Sequence, residues 1–107
     1  MNNKMNKLQQ NFDVLRTIES NSKISQRSMA KKLGISLGKL NYCLKELKKK
    51  GLVKMKNFYK KEDRLSYIQY VLTPKGIYLR TQLTISFMKR KLEEYDQLKR
   101  ELEENQK

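Results

Sequence analysis

The chain has 107 residues and a formal charge of +14, from 25 Lys+Arg against 11 Asp+Glu. It holds no His, one Cys (Cys43) and four Gly, which excludes a Cys/His zinc cluster, a His-based triad and the usual glycine-rich phosphate loops, so neither an enzyme nor a cofactor or metal is expected. The hydrophobic fraction is only 37%, yet Leu, Ile, Val and Phe recur at regular spacing, and one small domain with its own core is expected rather than disorder.

The charge is unevenly spread. Residues 1–72 carry 17 Lys+Arg and 5 Asp+Glu, a net +12, whereas residues 73–107 carry 8 and 6, a net +2. Such a field attracts a polyanion, either nucleic acid or an anionic membrane face, and gives the last third a different task. No apolar run approaches the roughly 20 residues that cross a bilayer, the N-terminus is polar, and a single thiol makes no internal disulfide; the expected location is the cytoplasm.

Leu8, Phe12, Leu15 and Ile18 share one face of a first helix running to about Ser20. Asn21-Ser22-Lys23 breaks it. Ser25 caps a short second helix, with Ile24 packing back on Met29; Met29, Ala30 and Leu33 face inward, and Gly34 ends the helix. Ser36 caps a third helix, in which Leu40, Leu44 and Leu47 form an apolar stripe. Lys48-Lys49-Lys50 complement its negative end before Gly51 stops it. The tracts 52–59 and 66–72 are rich in β-branched and aromatic residues and read as a hairpin whose tip is the charged run Lys60-Lys61-Glu62-Asp63-Arg64.

Thr73 then caps a last helix with Pro74 at its first position, where a missing N–H does no harm. Running to about Glu104, it spans roughly 45 Å at about 1.5 Å per residue, too long for a body of 72 residues to cover. Its apolar positions Ile85, Met88, Leu92, Tyr95, Leu98 and Leu102 follow a period close to 3.5 residues, that of a coiled-coil seam. A second copy of the chain is the simplest partner, giving a homodimer; a fold-back onto the first helix is the alternative. The division expected is therefore residues 1–73 as the basic, polyanion-binding unit and residues 74–107 as a dimerisation helix.

Helix, short helix, Gly turn, helix and hairpin, with the basic surplus on that unit, is the order of a winged helix-turn-helix. The stretch Leu33-Gly34-Ile35-Ser36-x-x-x-Leu40-x-x-x-Leu44-x-x-Leu47-x-x-x-Gly51-Leu52-Val53 resembles the helix-turn-helix of the MarR family of bacterial transcriptional regulators. Asp63-Arg64 and Leu72-Thr73-Pro74-Lys75-Gly76 resemble that family's wing and post-wing segments. The likeness covers about residues 12–78. In length and long terminal helix the chain is most similar to the small members associated with exopolysaccharide gene clusters, which implies a mainly α fold with a β-hairpin wing and control of such genes. Larger members carry an additional N-terminal helix that helps build the dimer body and an effector pocket; too few residues precede Phe12 for the same arrangement.

With Leu40, Leu44 and Leu47 inward, Gly38, Tyr42 and Lys45 lie on the opposite side of the third helix, flanked by Lys39 and Asn41. Leu37 sits in the first turn, the part that approaches base edges in such motifs. Asn41 suits adenine, Lys39 and Lys45 suit guanine or phosphate, Leu37 suits a thymine methyl, Tyr42 can donate to phosphate, and Gly38 admits close approach. Ser36 joins this set at the helix entry. Gln26 and Arg27, at the start of the second helix, are placed for phosphate, and Lys60, Lys61 and Arg64 for the minor groove, with Asp63 orienting Arg64. Cys43 reads as a small buried hydrophobe, with a redox switch on the reading helix as the alternative.

The function expected is a sequence-specific, homodimeric DNA-binding regulator, a repressor, acting on double-stranded DNA at a palindromic operator. A winged-helix interaction module that uses its terminal helix as a coiled-coil arm is the alternative. A membrane-surface role ranks below both, because the first three helices commit their apolar faces to the core.

Overall fold

The computed structural model describes residues 3–21, 23–60 and 65–106. Six elements follow in order: α1 (Asn3–Ser20), α2 (Gln26–Leu33), α3 (Leu37–Lys49), β1 (Val53–Lys60), β2 (Leu65–Leu72) and α4 (Pro74–Asn105). The architecture is a winged helix: three helices, a two-stranded antiparallel hairpin and a long terminal helix.

The local chemistry that starts and stops each element explains this order. Ser25 and Ser36 both sit in extended backbone, and their hydroxyl oxygens accept from the N–H of Ser28 and Lys39, each at 3.1 Å, three residues on. α2 and α3 end in the same way. Gly34 (φ 70°) and Gly51 (φ 75°) take the left-handed conformation, and the next residue reaches back over the last turn: Ile35 N–H to the Ala30 carbonyl at 3.0 Å and Leu52 N–H to the Leu47 carbonyl at 2.9 Å. The second of these bonds holds Leu52 at the helix exit, so β1 begins at Val53, one residue later than its composition suggests. β1 and β2 pair from Val53↔Leu72 to Lys60↔Leu65.

The core lies between α1, α2, α3 and the base of the hairpin. Val14, Leu15, Leu40, Leu44 and Leu47 are wholly enclosed, joined by Ile18, Met29, Ala30, Cys43, Leu52 and Val53. Two details of α1 depart from the simple periodic reading. Leu8, expected inward, is 41% exposed: the first turns of α1 turn Lys7, Gln10 and Asn11 toward α3 and leave Leu8 off the packed side. Val14, which that stripe omits, is fully buried, because α1 packs on two sides: Val14, Leu15 and Ile18 enter the core, while the Phe12 ring lies 4.9 Å from that of Phe87 in α4. Glu19 adds an ion pair with Arg80 at 3.1 Å.

α4 is tied to the end of α3 at its very start. The Thr73 hydroxyl accepts from the Gly76 N–H at 3.0 Å and donates to the Gly51 carbonyl at 2.6 Å. The Thr73 N–H reaches the Leu52 carbonyl at 3.1 Å, and Lys75 Nζ donates to the Lys50 carbonyl, also at 3.1 Å. Gly76 is buried there, and a Cβ on it would overlap the Leu52 carbonyl oxygen; the Thr-Pro-Lys-Gly segment is thus a packing requirement of the junction. At its other end the helix leaves the body. Every residue from Met88 to Gln106 is exposed, and the molecule extends 69 × 27 × 26 Å with a radius of gyration of 18.1 Å, against roughly 13 Å for a compact chain of this length.

Candidate nucleic-acid interface

α3 lies across α2 with one face closed and one open. Leu40, Cys43, Leu44 and Leu47 are buried, and their burial fixes the helix rotation, so Leu37, Gly38, Lys39, Tyr42 and Lys45 emerge on the solvent side. Tyr42 is 63% and Leu37 39% exposed. Asn41 is half-buried at the margin of this face. Ser36 is exposed at the helix entry; its oxygen is engaged by the Lys39 N–H, which leaves its hydroxyl hydrogen available to an acceptor. Arg27 is exposed and Gln26 half-buried at the start of α2.

Gly38 is informative for what does not surround it. A Cβ built there meets nothing within 4 Å, so the protein's own packing does not call for glycine, although glycine weakens a helix interior by roughly 0.5–1 kcal/mol against alanine.

Electrostatics point the same way. From Ser20 to Lys60 the chain carries twelve Lys/Arg and a single acid, Glu46. Among the described residues no ion pair neutralises a cation of α2 or α3. Lys31, Lys32, Lys48, Lys49 and Lys50 are exposed with the rest, so α2 and α3 together are a source of positive potential.

Of the wing residues, Lys61, Asp63 and Arg64 lie outside the described residues, as does the side chain of Lys60. The strand leading to them adds two cations that the reading by motifs passes over: Lys54 and Lys56 are exposed and, two residues apart on β1, share a face. Their i, i+2 spacing within a strand was the available signal.

Cys43 is buried beneath the open face and its Sγ donates to Asn11 Oδ1 at 3.2 Å. Burial pushes the thiol pKa up, opposed by the charges of Lys7 and Lys50 and aided by Glu46. A protonated, enclosed thiol is a poor nucleophile, which favours the packing reading over a redox one.

The stripe on α4 is open along its length. Ile85 is 43% exposed, and Met88, Leu92, Tyr95, Leu98 and Leu102 each about 60% or more. α1 does fold against α4, but through Phe12 on Phe87 and Glu19 on Arg80, and it leaves the seam uncovered.

Residues 8–54 match the family described as winged helix-turn-helix DNA-binding, a span from α1 through α2 and α3 to the first residues of β1. By sequence the chain matches no curated protein. Among solved structures it is similar to a MarR variant from E. coli complexed with operator DNA, 27% identical, covering 69% of this chain and 51% of that one with a TM-score of 0.55. FabT from Streptococcus pneumoniae in complex with DNA is 23% identical, with 85% and 58% covered and a TM-score of 0.56. A MepR variant from S. aureus bound to an oligodeoxyribonucleotide is 24% identical, with 91% and 73% covered and a TM-score of 0.59. The chain spans little more than half the length of the first two.

Proposed function

We propose that this chain is a sequence-specific DNA-binding transcriptional regulator of the MarR type, acting as a homodimeric repressor on a palindromic operator in double-stranded DNA. The observation that carries the reading is the open face of α3, where Leu37, Gly38, Lys39, Tyr42 and Lys45 stand free above a buried leucine stripe within a field of unneutralised cations. Asn41 and Leu37 read base edges; Lys39 and Lys45 take guanine or phosphate; Ser36, Tyr42, Gln26 and Arg27 fix the register on phosphate. Lys60, Lys61 and Arg64 follow the minor groove beside them, with Lys54 and Lys56 along the backbone.

Residues 1–73 form the DNA-binding unit and residues 74–107 the dimerisation helix, whose exposed seam of Ile85, Met88, Leu92, Tyr95, Leu98 and Leu102 pairs with that of a second copy. Two α3 helices related by a two-fold axis meet major grooves about 10 base pairs apart, hence the palindrome. Repression needs only occlusion of a promoter. The likeness in length and terminal helix to exopolysaccharide-associated regulators supports such genes as the target.

Gel shifts with the chain's own upstream region at two salt concentrations test this. Specific retention that weakens steeply with salt is expected as counterions return to the phosphates, and Asn41→Ala relaxes sequence preference while Lys60→Ala weakens specific and random DNA alike. Equal, salt-insensitive retention of every duplex would overturn it.

A further inference from the structure

Resting on the homodimer reading above, we propose that the two α4 helices pair antiparallel, so that the acidic distal end of each lies in the groove between α1 and α4 of the other. Three features of α4 carry this.

The first is its charge order. Residues 74–91 hold five cations (Lys75, Arg80, Lys89, Arg90, Lys91) and no acid, while residues 92–105 hold six acids and two cations. A parallel pair sets +5 beside +5 and −4 beside −4; an antiparallel pair sets each segment beside its opposite. The second is the helix end. Glu101, Glu103 and Glu104 crowd the last turns with no base in the final turn, where the helix dipole already concentrates negative charge. An antiparallel neighbour brings its basic half to that end.

The third feature is the seam and the space beside it. Read in reverse, the seam nearly repeats itself: about a centre between Leu92 and Tyr95, Ile85 falls opposite Leu102, Met88 opposite Leu98 or Lys99, and Leu92 opposite Tyr95. Flanking that centre on one side, Lys89 meets Asp96 of the partner subunit, twice by symmetry. Where the seam reaches the body, a groove of about 820 Å³ opens, lined by Phe12, Arg16, Arg80, Ile85, Phe87 and Met88 among others. Its floor is apolar and two arginines stand on its walls. Leu98 and Leu102 of the partner subunit suit that floor, and the partner's Glu101 and Glu104 suit Arg16, which lies over the Phe12 ring with no carboxylate on it among the described residues, whereas Arg80 is already held by Glu19.

Single-cysteine variants in a Cys43→Ala background decide the orientation. Ile85→Cys and Leu102→Cys are made separately, checked for native helix content and for dimer by sedimentation, and treated with a short bismaleimide alone and after mixing. The antiparallel pair predicts a covalent dimer only in the mixture. Covalent dimers from each variant alone, or a sedimenting dimer that never cross-links in the mixture, overturn the orientation while leaving the homodimer intact; a monomer by sedimentation in the parent Cys43→Ala chain overturns the homodimer itself. A cysteine-free measurement runs alongside. Lys89→Asp and Asp96→Lys each weaken self-association roughly tenfold, and mixing the two restores it, because both cross-pairs then become attractive. Full-strength self-association of Lys89→Asp contradicts the proposal.

Discussion

Leu44 in α3 and Leu92 in α4 occupy the same kind of position, on an apolar stripe at helical spacing, yet Leu44 is fully buried and Leu92 is 60% exposed. The body around α3 spends its stripe inside one chain, because α1, α2 and the hairpin base arrive from neighbouring sequence to close over it. The distal half of α4 has no such neighbour. Periodicity tells which face of a helix will be covered, and only the three-dimensional path of the rest of the chain tells by what.

Substitutions at matched positions of the two regions sharpen that contrast. Leu44→Ala removes a fully enclosed side chain and should lower unfolding stability by about 2–5 kcal/mol at any protein concentration, read by urea denaturation. Leu98→Ala should leave the dilute chain within about 0.5 kcal/mol of the parent and act instead on the concentration dependence of the transition. A loss at Leu98 that is independent of concentration would mean that its seam is closed within one chain after all.

A smaller effect separates folding from function on a single residue. Gly38 lies on an open helix face where a Cβ finds empty space, so Gly38→Ala should raise stability by roughly 0.5–1 kcal/mol through helix propensity. If α3 lies against a duplex at that point, the same methyl group must weaken operator binding. Opposite signs in thermal melting and gel shift are the expected outcome, and a stabilised variant with unchanged affinity would move the contact face away from Gly38.

The smallest effect is a pH dependence confined to the body. The folded protein holds the Cys43 proton to higher pH than the unfolded chain does, because burial disfavours the thiolate. The associated stability is therefore complete below the thiol's ordinary pKa of 9.0 and is lost as pH rises through the folded value. Comparing melting curves from pH 8 upward, Cys43→Ala should show a shallower decline than the parent.

Much of this molecule is legible in its sequence, and the legible parts are those decided by local chemistry. Ser25, Ser36 and Thr73 cap the helices that follow them, Gly34 and Gly51 supply the left-handed exits, and Leu40, Leu44 and Leu47 turn α3 so that its polar face is outward. What escaped was decided at a distance. Val14 is buried because α1 is gripped from two sides, and Leu8 is exposed because the first turns of α1 face α3 with their polar side instead. Leu52 is the local exception: its N–H closes the exit of α3 on the Leu47 carbonyl, which delays the strand by one residue. Gly76 matters through the carbonyl of a residue 24 positions earlier, a contact no periodic pattern encodes.

That contact also has a mechanical meaning. With Thr73, Lys75 and Gly76 all fastened to residues 50–52, the long helix is geared to the exit of α3 with no slack between them. In the homodimer proposed above, an influence that changes how far α4 leans would swing the two α3 tips toward or away from one another, and by reciprocity a duplex that demands one tip separation would select one lean. The overhang is then a handle as well as a clasp.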